Sequence, residues 1–117
     1  LISLHLKSSK QQWWFNTKGE SNHLNGFAFR HWYPNGQLWF KEYWVDGELH
    51  NPKGSAVRGW HKNGQLWREE YWVDGKQHNI KGSASKVWDS TGKLWHEEYW
   101  LKGKQVDKST FKNAKFA

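Results

Sequence analysis

The sequence predicts an all-β fold in which tandem β-hairpins with a 28-residue period stack into an elongated, twisted antiparallel sheet. Three observations carry that expectation. Residues 32–58, set above residues 60–86, are identical at 18 of 27 positions. Asn-Gly pairs, the strongest short hairpin signal, stand between aromatic segments at Asn35-Gly36 and Asn63-Gly64. No window carries the 3.6-residue period of an amphipathic helix.

Residues 1–18 read as a cap, with a degenerate hairpin over residues 4–15 turning at Ser8-Ser9. The repeat domain spans residues 19–107. It opens on a fragment, because Gly19, Gly26, Ala28 and Arg30 stand 28 residues before Gly47, Gly54, Ala56 and Arg58. Full units follow near residues 31–58, 59–86 and 87–107. The third keeps Gly92, Leu94, Trp95, Glu98, Tyr99, Trp100 and Gly103 before fading.

Within the middle unit one arm is expected over residues 55–61 and the other over residues 65–73. Both residues of Asn-Gly can take φ > 0, which suits a tight hairpin; Thr91-Gly92 is a weaker form of the same turn. Asp46-Gly47, Asp74-Gly75 and Lys102-Gly103 end the second arm, and loops over residues 50–54 and 78–82 lead into the next hairpin. Residues 108–117 are expected to add a closing strand and a basic C-terminal tail.

Composition narrows the chemistry. The chain has 117 residues, enough for one modest core, and much of its apolar area lies in 11 Trp, 6 Phe and 4 Tyr. Eighteen Lys plus Arg against eleven Asp plus Glu give a net charge of +7, a field that favours anionic partners or serves solubility alone. The absence of Cys excludes disulfides and thiolate metal sites. No apolar run approaches the roughly 20 residues of a membrane span, and the opening residues 1–6 are too short for a signal-peptide core. The expected compartment is the cytoplasm.

Strand alternation would put Leu66, Arg68, Glu70 and Trp72 on one face and Trp67, Glu69, Tyr71 and Val73 on the other, so each face carries a Trp. Stacking then builds two columns, Trp39-Trp67-Trp95 and Trp44-Trp72-Trp100, with Arg30, Arg58 and Lys86 in register. A sheet mixed on both faces is either twisted so that opposite ends of each face are covered or a single layer held by aromatic ladders.

The run Tyr33-x-Asn35-Gly36-x-Leu38, followed by Glu42-Tyr43 and Asp46-Gly47 and repeated from Asn63, resembles the MORN-repeat superfamily, in particular its bacterial and viral variant. The resemblance covers about residues 19–107. It implies β-hairpins stacked into a single sheet and a role in protein or, less often, lipid contact; some bacterial members are described as antitoxins. The longer period, the Trp load and the added Lys-Gly-Ser-Ala loop depart from that pattern. A looser similarity, in kind only, links the chain to Trp- and Tyr-rich cell-wall-binding hairpins.

Nothing in the sequence suggests catalysis or a cofactor. The pairs Glu69-Glu70 and Glu97-Glu98 point to opposite faces and cannot converge on one substrate; cross-strand pairing with Arg and Lys, or holding Trp N–H groups, accounts for them. Only His50 and His78 share a repeat column, which suits loop hydrogen bonding and supplies no metal site. The candidate binding residues are therefore Trp39, Trp67, Trp95, Trp44, Trp72, Trp100, Arg30, Arg58 and Lys86. The leading expectation is a non-catalytic scaffold binding a protein partner through its Trp-rich surface, with an antitoxin or immunity role among its forms. Capture of an anionic ligand, nucleic acid or glycan stays open, as does self-assembly through sheet edges; contact with a membrane surface ranks lower.

Overall fold

The computed structural model describes residues 2–6, 11–15 and 29–114. Its strands are β1 (Ile2–Leu6), β2 (Gln11–Phe15), β3 (Phe29–Trp32), β4 (Leu38–Glu42), β5 (Trp44–Val45), β6 (Glu48–Leu49), β7 (Val57–Trp60), β8 (Leu66–Glu70), β9 (Trp72–Val73), β10 (Lys76–Gln77), β11 (Ser85–Trp88), β12 (Leu94–Leu101) and β13 (Lys104–Val106). One helix, α1 (Lys108–Asn113), follows. Nine strands form one antiparallel sheet in the order β1-β2-β3-β4-β7-β8-β11-β12-β13. The molecule is a slab of 47 × 37 × 18 Å.

The expected N-terminal hairpin is present, with Leu6 opposite Gln11; its turn at Ser8-Ser9 lies outside the described residues. The partial unit around Gly19 and Gly26 also lies outside them. From β3 onward three units repeat, each with two hairpins where the sequence suggests one. A large hairpin (β3-β4, β7-β8, β11-β12) enters the main sheet, and a small one (β5-β6, β9-β10, the end of β12 with β13) folds at its end.

The turn chemistry is the reverse of the expectation. Among the described residues the non-Gly residues with positive φ are Asp46, Asp74 and Lys102, at φ 49°, 51° and 51°. Each precedes a Gly that also has positive φ, so these pairs make the two-residue turns of the small hairpins. Asn35 is not among them. The Gly36 N–H donates to Tyr33 O at 3.0 Å and the Tyr33 N–H to Gln37 O at 2.8 Å, with Gly36 at φ 89°. That is a three-residue loop closed by a left-handed Gly, the geometry of a G1 bulge. Asn35 serves it through its side chain, whose Oδ1 accepts from the Gln37 N–H at 2.9 Å. Asn63 repeats the bond to Gln65 at 3.0 Å. In the third unit Asp89 takes over, accepting from the Thr91 and Lys93 N–H groups at 2.9 and 3.0 Å.

A second bulge follows each loop. Trp32 faces Leu38 while His31 faces Phe40, leaving Trp39 as the extra residue; Trp67 and Trp95 hold the same place in the next two hairpins. A bulge breaks the alternation of faces and re-aims its side chain. The strict alternation expected for residues 65–73 therefore fails at Trp67.

Little of the molecule is sealed. Among the described residues the buried apolar side chains are Phe29, Ala56, Val57 and Ala84, and no large side chain is fully buried. The sheet is a single layer, so cohesion between units comes from ladders and stitches. The Tyr43 and Tyr71 N–H groups reach Ala56 O and Ala84 O, both at 2.8 Å. Asn51 and Asn79 brace their own loops by donating to Ser55 O and Ser83 O at 2.9 and 3.0 Å. His50 and His78 accept the Asp74 and Lys102 N–H groups of the next unit on Nδ1, both at 2.9 Å. The repeated His and Asn are thus explained by loop hydrogen bonding.

The expected closing strand over residues 108–117 is corrected. Val106 and Asp107 stand where His50 and Asn51 begin the connecting loop, and Asp107 instead caps α1 by accepting the Thr110 N–H at 2.7 Å. The strand that ends the sheet is β13, and Phe111 of α1 packs on Tyr99 with ring centroids 4.8 Å apart.

Candidate binding surfaces

Cross-strand register assigns side chains to two faces. One row runs Phe29-Glu42-Val57-Glu70-Ser85-Glu98 across six adjacent strands. Its neighbour, Arg30-Lys41-Arg58-Glu69-Lys86-Glu97, is displaced by one residue and lies on the opposite face. The face of the first row holds both Trp columns. Trp44, Trp72 and Trp100 donate their indole N–H to Oε1 of Glu42, Glu70 and Glu98, each at 2.9 Å.

The bulged Trp column joins them there. A Cβ on Gly59 would stand 2.7 Å from Trp67 Cε3 and 3.1 Å from Arg68 Cγ, so the Trp67 indole overlies Gly59 on the Arg68 side of the sheet. Trp39 packs on His31 and Phe40, with centroids 4.7 and 5.6 Å away, and stacks on Tyr33 at 4.9 Å. A cavity of about 150 Å³ beside the bulged column is lined by Trp39, Phe40, Glu42, Val57, Trp67 and Arg68. Burial raises the Glu42 carboxyl above its ordinary value, opposed by the Trp44 N–H and the Arg68 charge. Arg68 pairs with Glu70, lies 5.3 Å from the Trp67 ring centroid, and keeps Nε buried without a hydrogen-bond partner.

The other face belongs to tyrosines and cations. Arg58 holds Glu69 through Nη2 at 2.9 Å and Nε at 3.1 Å. Tyr71 and Tyr99 donate their hydroxyls to Glu69 and Glu97 at 3.2 and 3.4 Å. Burial first, and the adjacent carboxylate second, raise both phenols above the ordinary tyrosine value. Trp32 lies under Arg30 at 5.1 Å, and Lys41 Nζ sits 5.7 Å from the Tyr43 centroid and 6.0 Å from that of Trp60.

The sheet therefore brings Trp39, Trp67, Trp95, Trp44, Trp72 and Trp100 together and sets Arg30, Arg58 and Lys86 behind them. A pincer of these indoles with these cations does not form. Sequence reasoning missed Trp32, Trp60, Lys41 and Tyr43 on the cation face; the signal was available, since Lys41 stands against Glu69 and Glu97 in the repeat. The carboxylate pairs serve opposite faces: Glu69 takes Arg58 and Tyr71, while Glu70 takes Arg68 and Trp72. Among the described residues no group of three or more His, Cys, Asp or Glu could hold a metal ion, and no helix is long and apolar enough to cross a membrane.

The most exposed large apolar side chain among the described residues lies in the third unit. Beyond Leu94–Glu98 no strand pairs among the described residues, because β13 joins β12 only from Tyr99 to Leu101. The residues of β4 and β8 that correspond to His96–Glu98, namely Phe40–Glu42 and Arg68–Glu70, are covered by β7 and β11. On that open edge Trp95 is 77% exposed and Leu94 42%.

Stacked hairpins with side-chain stitches between copies define a repeat scaffold. Residues 28–46 match the family model of the MORN repeat variant. Such repeats are generally non-enzymatic modules, often with binding or membrane-association roles. No curated protein and no solved structure matches the chain.

Proposed function

We propose that this scaffold binds a protein partner at the open edge of β12, where an extended segment adds as a further strand and packs against Leu94 and Trp95. The observation that carries the reading is the slot itself. In the first two units the outer edge of Phe40–Glu42 and of Arg68–Glu70 receives the next unit's first strand; the corresponding His96–Glu98 receives none among the described residues, and the adjoining Trp95 indole stands 77% exposed. Unpaired strand edges accept extended peptides through main-chain hydrogen bonds, and an exposed Trp is the side chain most suited to anchor them.

An antitoxin or immunity role is one form of this reading, with the neutralised protein as the added segment and the cytoplasm as its setting. Assembly through the same edge is the competing occupant. Against it, the side chains that reach toward a following unit are replaced in unit 3: Asn35 and Asn63 donate to Lys62 O and Ser90 O at 3.3 and 2.9 Å, while Thr91 takes their place there. The test compares wild type with Trp95→Ala in affinity capture quantified by mass spectrometry, with sedimentation run alongside. A protein recovered by wild type and lost from Trp95→Ala supports the proposal. Equal recovery, or a dimer dissolved by the substitution, removes it.

A further inference from the structure

Because the units are copies, a position where one copy breaks the pattern isolates what that copy does differently. On the cation face the residue two before the tyrosine is Glu69 in unit 2, Glu97 in unit 3 and Lys41 in unit 1. Where the glutamate stands, it receives the tyrosine hydroxyl and faces cations across the strands: Glu69 lies between Arg58 and Lys86, and Glu97 faces Lys86. The lysine reverses this. Lys41 lies directly between Arg30 and Arg58, so three cations occupy three adjacent strands, about 4.8 Å apart.

Like charges set directly opposite destabilise a strand pair. The rings of Tyr43 and Trp60 offer Lys41 their π faces but no counter-charge. Glu69 engages Arg58 from the β8 side, while on the β4 side Arg58 meets Lys41. Beside these residues an open cleft of about 180 Å³ is lined by Lys41, Tyr43, Asn51, Gly54, Ser55 and Arg58.

We propose that this cleft is a carboxylate-binding site for an acidic peptide, whose Asp or Glu side chain takes the place that Glu69 and Glu97 fill in the other units. The incoming carboxylate lies against Lys41 and Arg58 beside Tyr43. The repeat supplies the pattern for the missing group, and the Lys41–Arg58 juxtaposition supplies the reason that an external one is bound.

The test titrates tetraglutamate into the full chain by calorimetry at low and moderate salt. Wild type binds, and salt weakens the binding. Lys41→Glu, which copies units 2 and 3, loses about tenfold or more in affinity. Without peptide it melts about 4 °C higher, since two like-charge contacts become opposite-charge contacts. Lys41→Gln falls between the two and guards against a folding defect in the first variant. Lys104→Glu, with the same charge change in β13, keeps wild-type affinity for the peptide. The proposal is overturned if wild type ignores tetraglutamate, if both Lys41 variants bind as wild type does, or if inorganic phosphate alone binds in a Lys41-dependent way.

Discussion

Units 2 and 3 both carry Leu-Trp-x-Glu-Glu-Tyr-Trp, yet the indole at the second position is half-buried as Trp67 and almost bare as Trp95. The difference lies in the neighbours. Trp67 overlies Gly59, which has no side chain to hold it off, and β11 covers the far edge of the adjoining Arg68–Glu70. The residue equivalent to Gly59 in unit 3 is Val87, and the far edge of Leu94–Glu98 is open among the described residues. One sequence motif therefore serves as packing in the middle of the array and as a contact surface at its end. In a single-layer repeat, position in the stack decides the role.

The strongest way to break that comparison is to give unit 2 the side chain of unit 3. Gly59→Val places carbon atoms where the Trp67 ring and Arg68 Cγ already stand. We expect a loss of about 2 kcal/mol in chemical denaturation and a red-shifted Trp emission as Trp67 swings out. An unchanged midpoint with unchanged emission would show that Gly59 does not seat the indole.

A smaller effect is expected from the loops. Asn79→Ala removes the bond to Ser83 O and the acceptor for the Lys81 N–H, and should cost about 1 kcal/mol. Its counterpart Asp107 braces no such loop, so Asp107→Ala should release α1 and the Phe111–Tyr99 contact while β12 stays protected in hydrogen exchange. Equal loss of protection across β12 in both variants would contradict the distinction.

The smallest effect separates the inner and outer carboxylates of one column. Glu98 is held below the ordinary 4.5 by its hydrogen bond to His96 and then by that to Trp100. Its contribution is present above 4.5 and fades as the pH falls through its folded value. Glu42, in the same column but half-buried, is raised above 4.5, so its contribution is present below 4.5 and fades as the pH rises through its folded value. Glu98→Gln should therefore lower stability near neutral pH and Glu42→Gln should raise it, with both converging on wild type in acid. Shifts of the same sign at neutral pH would mean that burial does not distinguish the two sites.

Much of the architecture was legible in the sequence because it depends on local rules. Repetition marked the units, and the Gly at each turn marked where the chain reverses. The roles expected for the paired glutamates and for His50 and His78 are those observed, since a cross-strand pair or a loop bond needs only period-2 geometry or a fixed offset. The alternation of Trp67 was not legible. A bulge adds one residue without a dedicated side-chain signal, and that residue shifts the face of an indole. The helix at residues 108–113 also escaped, because six residues are too few for a periodic pattern and Asp107 reads equally well as a turn residue.

By itself the sequence determined the all-β class, the 28-residue period, the hairpins and the candidate aromatic columns, since local propensity and turn chemistry act within a few residues. Tertiary structure alone decided that both columns share one face, that Arg30, Arg58 and Lys86 lie behind them, and that Trp95 stands at an open edge. Those outcomes depend on cross-strand register and on what covers each edge, and both are set by residues a whole unit away in the chain.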